Sequence, residues 1–189
     1  EIFNRMQNYR TVVRDRLLAA NPGAEVGTYD INSQDVLIGA FFAAYSGKDP
    51  NEVRLNPFLR FPLPNWRVDF GGVEKILKVD RVFSSITLNH SYTSTYNVGN
   101  FTSSLEYGAQ YLNLLVRGYP LGFLTNTQSL FIPIFVMSTI TMEEKYAPFI
   151  GLQFATKKNI TGRIEYNKER RAGLNLSNSQ VAEFNSNDF

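Results

Sequence analysis

Residues 84–98 read SSITLNHSYTSTYNV, and their alternation decides the fold. The odd positions are Ser85, Thr87, Asn89, Ser91, Thr93, Thr95 and Asn97, all small or medium polar groups. The even positions are Ile86, Leu88, His90, Tyr92, Ser94, Tyr96 and Val98, of which five are apolar or aromatic. A period of two sends the two sets to opposite faces of a sheet. Ser85–Val98 as one strand extends roughly 45 Å at about 3.3 Å per residue, and a tilt of about 40° lets it cross a hydrocarbon core with some excess. A soluble sandwich uses strands of about 5–6 residues. The pattern therefore predicts a transmembrane β-barrel strand. Ser85, Thr87, Asn89, Ser91, Thr93, Thr95 and Asn97 are predicted to face the lumen. Ile86, Leu88, Tyr92, Tyr96 and Val98 are predicted to face lipid, with Tyr92 and Tyr96 in an interfacial aromatic girdle.

Outward from this strand, the N-terminal third is helical. Glu1–Asn21 places Phe3, Met6, Tyr9, Val13 and Leu17 on one face, with Arg5, Arg10, Arg14 and Arg16 mostly off it. Asn21, Pro22 and Gly23 end this helix. Ser33–Ser46 is a second helix, capped by Ser33, with Asp35 at the positive end of its dipole and Gly47 closing it. It is apolar nearly all round, which means burial against protein: either a core helix under a long loop or a plug or gate helix. Asp49–Pro64 is loop, because Pro50, Pro57, Pro62 and Pro64 remove ladder donors. Asn65–Phe70 is a short strand with Trp66, Val68 and Phe70 on one side, ended by Gly71 and Gly72. Val73–Val79 is a helical turn.

Beyond the deciding strand, Phe131–Glu144 and Pro148–Thr156 read as two strands joined by an outer turn at Glu143–Pro148. The first places Ile132, Ile134, Val136, Ile140 and Met142 on one face. Ile160–Gln180 keeps one strand register after a tight turn at Lys157–Lys158–Asn159, and tight turns in bacterial barrels lie on the periplasmic side. Gly99–Ser129 is predicted to hold a short strand near Leu105–Leu115 and an outer loop. The expected fold is mainly β: antiparallel strands of a very large transmembrane barrel over residues 65–189, with two helices in an N-terminal insertion over residues 1–64. The start without methionine and the polar tail Asn185–Phe189 suggest a piece of a longer barrel.

Composition narrows the function classes. The net charge of +2 gives no reason to expect a nucleic-acid partner, and with no cysteine there is neither a disulfide framework nor a thiolate metal site. The apolar runs Val36–Tyr45 and Leu130–Met137 fall short of the roughly 20 residues of a membrane-spanning helix. His90 is the sole histidine, and adjacent strand residues point apart, so His90 and Ser91 cannot form a nucleophile–base pair. Glu143–Glu144 reads as a solvated turn, and no phosphate-binding glycine loop is present. No enzyme activity, catalytic residue, metal or cofactor is expected. The charged run Lys168–Arg171 either lines a lumen or projects beyond the membrane.

The segments NSQDVLIGAFFAAYSGKDP (32–50), PLPNWRVDFGG (62–72), FSSITLNHSYTSTYNVGNF (83–101) and YAPFIGLQFATKKNITGRIEYNKERRAGLNLSNSQ (146–180) together resemble the SprA/Sov proteins of Bacteroidota. These are the outer-membrane translocons of the type IX secretion system, linked to gliding motility. The resemblance runs in order over Asn32–Gln180, with PLPNWR and STYNVG as its most specific parts. It departs at Gly39, where the family pattern leads one to expect proline. It implies a much longer complete protein at the cell surface and a barrel among the largest single-chain ones. It also implies a pore passing folded cargo proteins with C-terminal sorting domains, and partners that include a plug protein and a PorV-type shuttle barrel at a lateral opening. Two other readings stay open: another class of outer-membrane barrel, channel or receptor, and a soluble all-β binding domain with the even face as its core.

Overall fold

The computed structural model describes residues 1–21, 23–56, 58, 63–116 and 124–189, with residues 111–116 described by their backbone alone. Pro22, Pro57 and Pro62, which the sequence reading uses as breakers, lie outside the described residues. The chain is mainly β, with an antiparallel sheet of five strands and a few helices. Two compact units are formed: Glu1–Arg60, Asn97–Thr141 and Gly173–Ala182 in one, and Phe61–Tyr96, Met142–Ala172 and Glu183–Phe189 in the other.

In the first unit, helix α1 (Ile2–Ala20) packs on helix α2 (Gln34–Ser46). The buried stripe of α1 is Ile2, Met6, Arg10, Val13 and Leu17. This corrects the predicted face: Phe3 is exposed and Arg10 is inside. The Arg10 guanidinium donates to Asn32 Oδ1 at 2.8 Å from Nη1, while its Nε and Nη2 are buried without a hydrogen-bond partner among the described residues. Helix α2 is buried nearly all round, from Val36 to Tyr45, as its composition requires. Ser33 occupies the N-cap with extended backbone, but its hydroxyl makes no capping bond. Gly47 closes the helix in the left-handed conformation (φ +66°). The helices are in close contact at Gly39, where an added Cβ would sit 2.7 Å from Val13 Cγ1.

The Gln34 side chain joins α2 to the segment 131–137. Its amide nitrogen donates to the Phe135 carbonyl (2.9 Å) and its oxygen accepts from Met137 N–H (2.8 Å), the pair of bonds a neighbouring strand would make. Strand β3 (Thr102–Ser103) pairs with β4 (Phe135–Val136) in a separate two-stranded sheet. Between them lies helix α4 (Leu105–Val116), where a strand was expected. Ser104 starts the helix, its Oγ accepting from Tyr107 N–H and its carbonyl from Gly108 N–H. Leu, Ala, Glu and Gln, which favour helix, dominate the stretch behind that cap.

The large sheet has the order β1-β2-β5-β6-β7: β1 (Trp66–Gly71), β2 (Phe83–Gly99), β5 (Thr139–Thr156), β6 (Thr161–Asn175) and β7 (Gln180–Asp188). Neighbours in the sheet follow chain order apart from the β3–β4 excursion, an up-and-down arrangement that leaves β1 and β7 as open edges. β2 matches the predicted strand and extends it at both ends to 17 residues. Two predicted boundaries are corrected. There is no turn at Glu143–Pro148, because β5 runs through it for 18 residues, with the Pro148 ring beside Gly151, whose missing side chain leaves room. Nor is Ile160–Gln180 one strand: residues 176–179 turn the chain, and what reads as a polar tail is β7. Ser179, with φ +56°, supplies the left-handed residue of that turn. The tight turn after β5 is present, with Asn159 at φ +59°. Helix α3 (Val73–Ile76) follows β1 as expected of Val73–Val79.

Candidate functional site

The β1–β2 ladder fixes which side chains share a face. Trp66 pairs with Tyr92, Val68 with His90 and Phe70 with Leu88, so these six lie on one side of the sheet; Arg67, Asp69, Ser91 and Asn89 lie on the other. On the first side, aromatic rings form a continuous band from strand to strand. Trp66 on β1 stacks on Tyr92 at 4.3 Å, and Tyr92 meets Tyr146 of β5 at 4.8 Å. Tyr146 meets Phe149 at 5.3 Å, Phe149 meets Tyr166 of β6 at 6.0 Å, and Tyr166 meets Phe189, just beyond β7, at 4.8 Å. His90 sits inside the band against Trp66, Tyr146 and Phe149. Its Nδ1 lies 2.6 Å from the Phe149 carbonyl oxygen, so that nitrogen carries the proton.

The band divides unlike surfaces. On one flank Val68, Phe70, Leu88 and Ile164 are exposed apolar groups, between 39 % and 62 % accessible. On the other flank, period two along the strands places Glu144 on β5 and Lys168 and Arg170 on β6. The Tyr92 hydroxyl donates to Glu144 Oε1 at 2.9 Å, so the ring turns its apolar body to one side and its polar tip to the other. The charged run of β6 thus begins two residues beyond its aromatic, Tyr166. Glu144 is a strand residue here rather than the turn carboxylate expected.

The opposite side of the sheet is polar and internally paired. Arg67 Nε donates to Asp69 Oδ2 at 2.9 Å, Asn89 Nδ2 donates to Asp69 Oδ1, and Arg163 pairs with Glu165 on β6. Ser85, Thr87, Gln153, Ala155, Thr161 and Arg163 line an open depression of about 430 Å³. Of the residues predicted to face a lumen, Ser85, Thr93, Thr95 and Asn97 are exposed and Thr87, Asn89 and Ser91 half-buried. Of those predicted to face lipid, Leu88 is exposed, Tyr96 and Val98 are half-buried, and Ile86 and Tyr92 are 7 % accessible. Tyr92 is covered by its ring neighbours. Ile86 stands where β1 has ended, and its N–H, lacking a strand partner there, donates to Glu74 Oε2 of α3 at 2.9 Å.

Sequence reading found Tyr92 but not the rest of the band. Trp66, Tyr146, Phe149, Tyr166 and Phe189 are distant in sequence, and only strand register brings them together. Among the described residues no three histidine, aspartate or glutamate side chains gather as a metal site. No helix of the described residues is long and apolar enough to cross a membrane, which says nothing of strands. In comparison with known proteins, no family model and no curated protein sequence matches the chain.

Proposed function

We propose that the chain forms part of the wall of a very large outer-membrane β-barrel, a protein-conducting channel that exports folded cargo in the manner of type IX secretion. The observation that carries this reading is the aromatic band, with exposed apolar residues on one flank and charged residues on the other. That sequence of surfaces is the one a strand meets on passing from hydrocarbon through the interface into water. The side of the sheet behind it carries hydroxyls, amides and ion pairs closed within single strands. Such a lining offers hydrogen bonds without a fixed sign of charge, which suits passage of protein surfaces that differ in charge. The open edges β1 and β7 are where further wall strands would pair, since five strands cannot close a barrel that needs about eight at the least.

The resemblance to the SprA/Sov proteins adds the finer part of this proposal: the outer membrane of a Bacteroidota-like cell, gliding motility, and cargo with C-terminal sorting domains. It also supplies a plug protein and a PorV-type shuttle barrel as partners, with membrane lipid around the wall. The competing soluble all-β domain draws on the burial of Ile86 and Tyr92. Tyr92 is covered by rings within the band itself, and Val68, Phe70 and Leu88 beside these two stay open.

The test uses single cysteines, introduced without background because the chain has none. In outer membranes, cysteines replacing Val68, Leu88 and Ile164 should resist a water-soluble maleimide and react with a membrane-soluble one. Those replacing Ser85 and Thr93 should react with the water-soluble reagent. The reverse pattern sinks the proposal.

A further inference from the structure

The end of the sheet at the tight β5–β6 turn carries a second exposed apolar cluster that the aromatic band does not explain. Ile76, Leu77, Val82 and Ile160 are 58 % to 65 % accessible. They belong to one compact construction. The chain from α3 to β2 is folded back on itself by bonds from Val79 N–H to the Glu74 carbonyl and from Val82 and Phe83 N–H to the Val79 carbonyl. Lys157 N–H donates to the Val82 carbonyl, which seats the β5–β6 turn against it, and Ile160 closes that turn through Thr156.

Around these apolar groups stand five exposed cations: Lys75, Lys78 and Arg81 on the α3 side, and Lys157 and Lys158 in the turn. Of the two carboxylates in the α3–β2 connection, Glu74 is buried on the Ile86 amide, which leaves Asp80 alone at the surface. Exposed aliphatic groups ringed by unneutralised lysine and arginine form the surface that an anionic lipid headgroup layer accepts. The aliphatic groups enter the acyl boundary and the ammonium groups meet phosphates.

The spacing agrees. From Val82 to His90 and Tyr92 the strand advances by roughly 26–33 Å, which at a tilt of about 40° is roughly 20–25 Å along the membrane normal, close to the height of a barrel's apolar belt. The aromatic band and the basic cluster therefore stand one belt apart. We propose that Ile76, Leu77, Val82 and Ile160, with Lys75, Lys78, Arg81, Lys157 and Lys158, form a collar that binds the anionic phospholipid headgroups of the leaflet on the tight-turn side. This rests on the reading of the sheet as barrel wall and adds the lipid that one rim recognises.

The experiment compares the protein in vesicles of phosphatidylcholine with and without phosphatidylglycerol, carrying an environment-sensitive fluorophore on a cysteine at Ile160 or, as reference, at Leu88. The Leu88 probe should report hydrocarbon in both lipids. The Ile160 probe should move to a less polar environment only when phosphatidylglycerol is present, and that shift should weaken with each collar cation changed to glutamine. The control K145Q should leave both probes unchanged. If Leu88 reports hydrocarbon while Ile160 ignores lipid charge, or if the K75Q/K78Q/R81Q/K157Q/K158Q variant behaves as the control does, the collar is wrong and the wall stands. If Leu88 reports water in both lipids, the wall reading fails and takes the collar with it.

Discussion

Trp66 and Tyr92 are directly paired in the β1–β2 ladder, and their rings lie 4.3 Å apart at an interplanar angle of 31°. β1 is a six-residue edge strand whose residues are all exposed, and this ring contact anchors it to β2 beside the Asn89–Asp69 hydrogen bond on the other face. A double-mutant cycle of Trp66→Ala and Tyr92→Ala should give a coupling of about 0.5–1.5 kcal/mol, read from amide exchange of β1. A coupling near zero would show that the band does not hold the edge.

Trp66 is also the only tryptophan in the chain, so its emission reports on one depth. In vesicles of brominated lipid, quenching should be strongest with bromines close to the headgroup and weaker with bromines near the acyl terminus. Strongest quenching at the acyl terminus would move the interface away from the band.

Glu74 supports the same strand from the other end of β1. Its carboxylate accepts the Ile86 N–H at 2.9 Å, beyond the last ladder pair, Gly71 with Thr87. Glu74→Ala leaves a buried donor without an acceptor and should cost about 1–3 kcal/mol. Glu74→Gln keeps an acceptor oxygen and should recover most of the loss. Amide exchange at Ile86 measures both, and equal protection in the two variants would remove Glu74 from the strand's support.

What could be read in the sequence follows from the range of each signal. The alternation of Ser85–Val98, the apolar circumference of Val36–Tyr45 and the turn at Lys157–Asn159 are local patterns, and each element formed where its pattern lies. α4 stands where a strand is predicted, although its signal is local too: Ser104 as a cap before helix-favouring residues. The chain passes Glu143–Pro148 without turning, since Gly151 leaves room for the Pro148 ring, and it turns at Leu176–Ser179 without glycine or proline, since Ser179 adopts the left-handed conformation. The aromatic band was out of reach in principle, because a single sequence carries no register between β2 and β5.

The contact of Gly39 with Val13 sets two effects against each other. Alanine in a helix interior is favoured over glycine by about 0.8–1 kcal/mol. The added methyl, however, would stand 2.7 Å from Val13 Cγ1 in a packed interface, and overpacking costs about 1–3 kcal/mol. Gly39→Ala should therefore destabilise the α1–α2 pair. In a Val13→Ala background the clash is gone and the propensity gain remains, so the same change should become stabilising by roughly 0.5–1 kcal/mol. Thermal unfolding of the four variants gives the signs, and the same sign in both backgrounds would mean that Val13 does not limit the approach.

Asp35 gives the first unit a pH dependence of known direction. It lies in the first turn of α2, where burial raises its carboxyl from the ordinary 3.8 to about 6, a bond to its own backbone opposing the shift. The folded chain therefore keeps a proton that the unfolded chain has lost between about pH 4 and pH 6. Stability from this group is full below about pH 4, declines as pH rises through that window and levels off above about pH 6. The whole change is at most roughly 3 kcal/mol. Asp35→Asn, which mimics the protonated form, should flatten the profile and leave α2 more protected than in the parent at neutral pH. Amide exchange of α2 across this window measures both. Protection that rises with pH in the parent, or an asparagine variant with the parent's slope, would show that the Asp35 carboxyl does not control it.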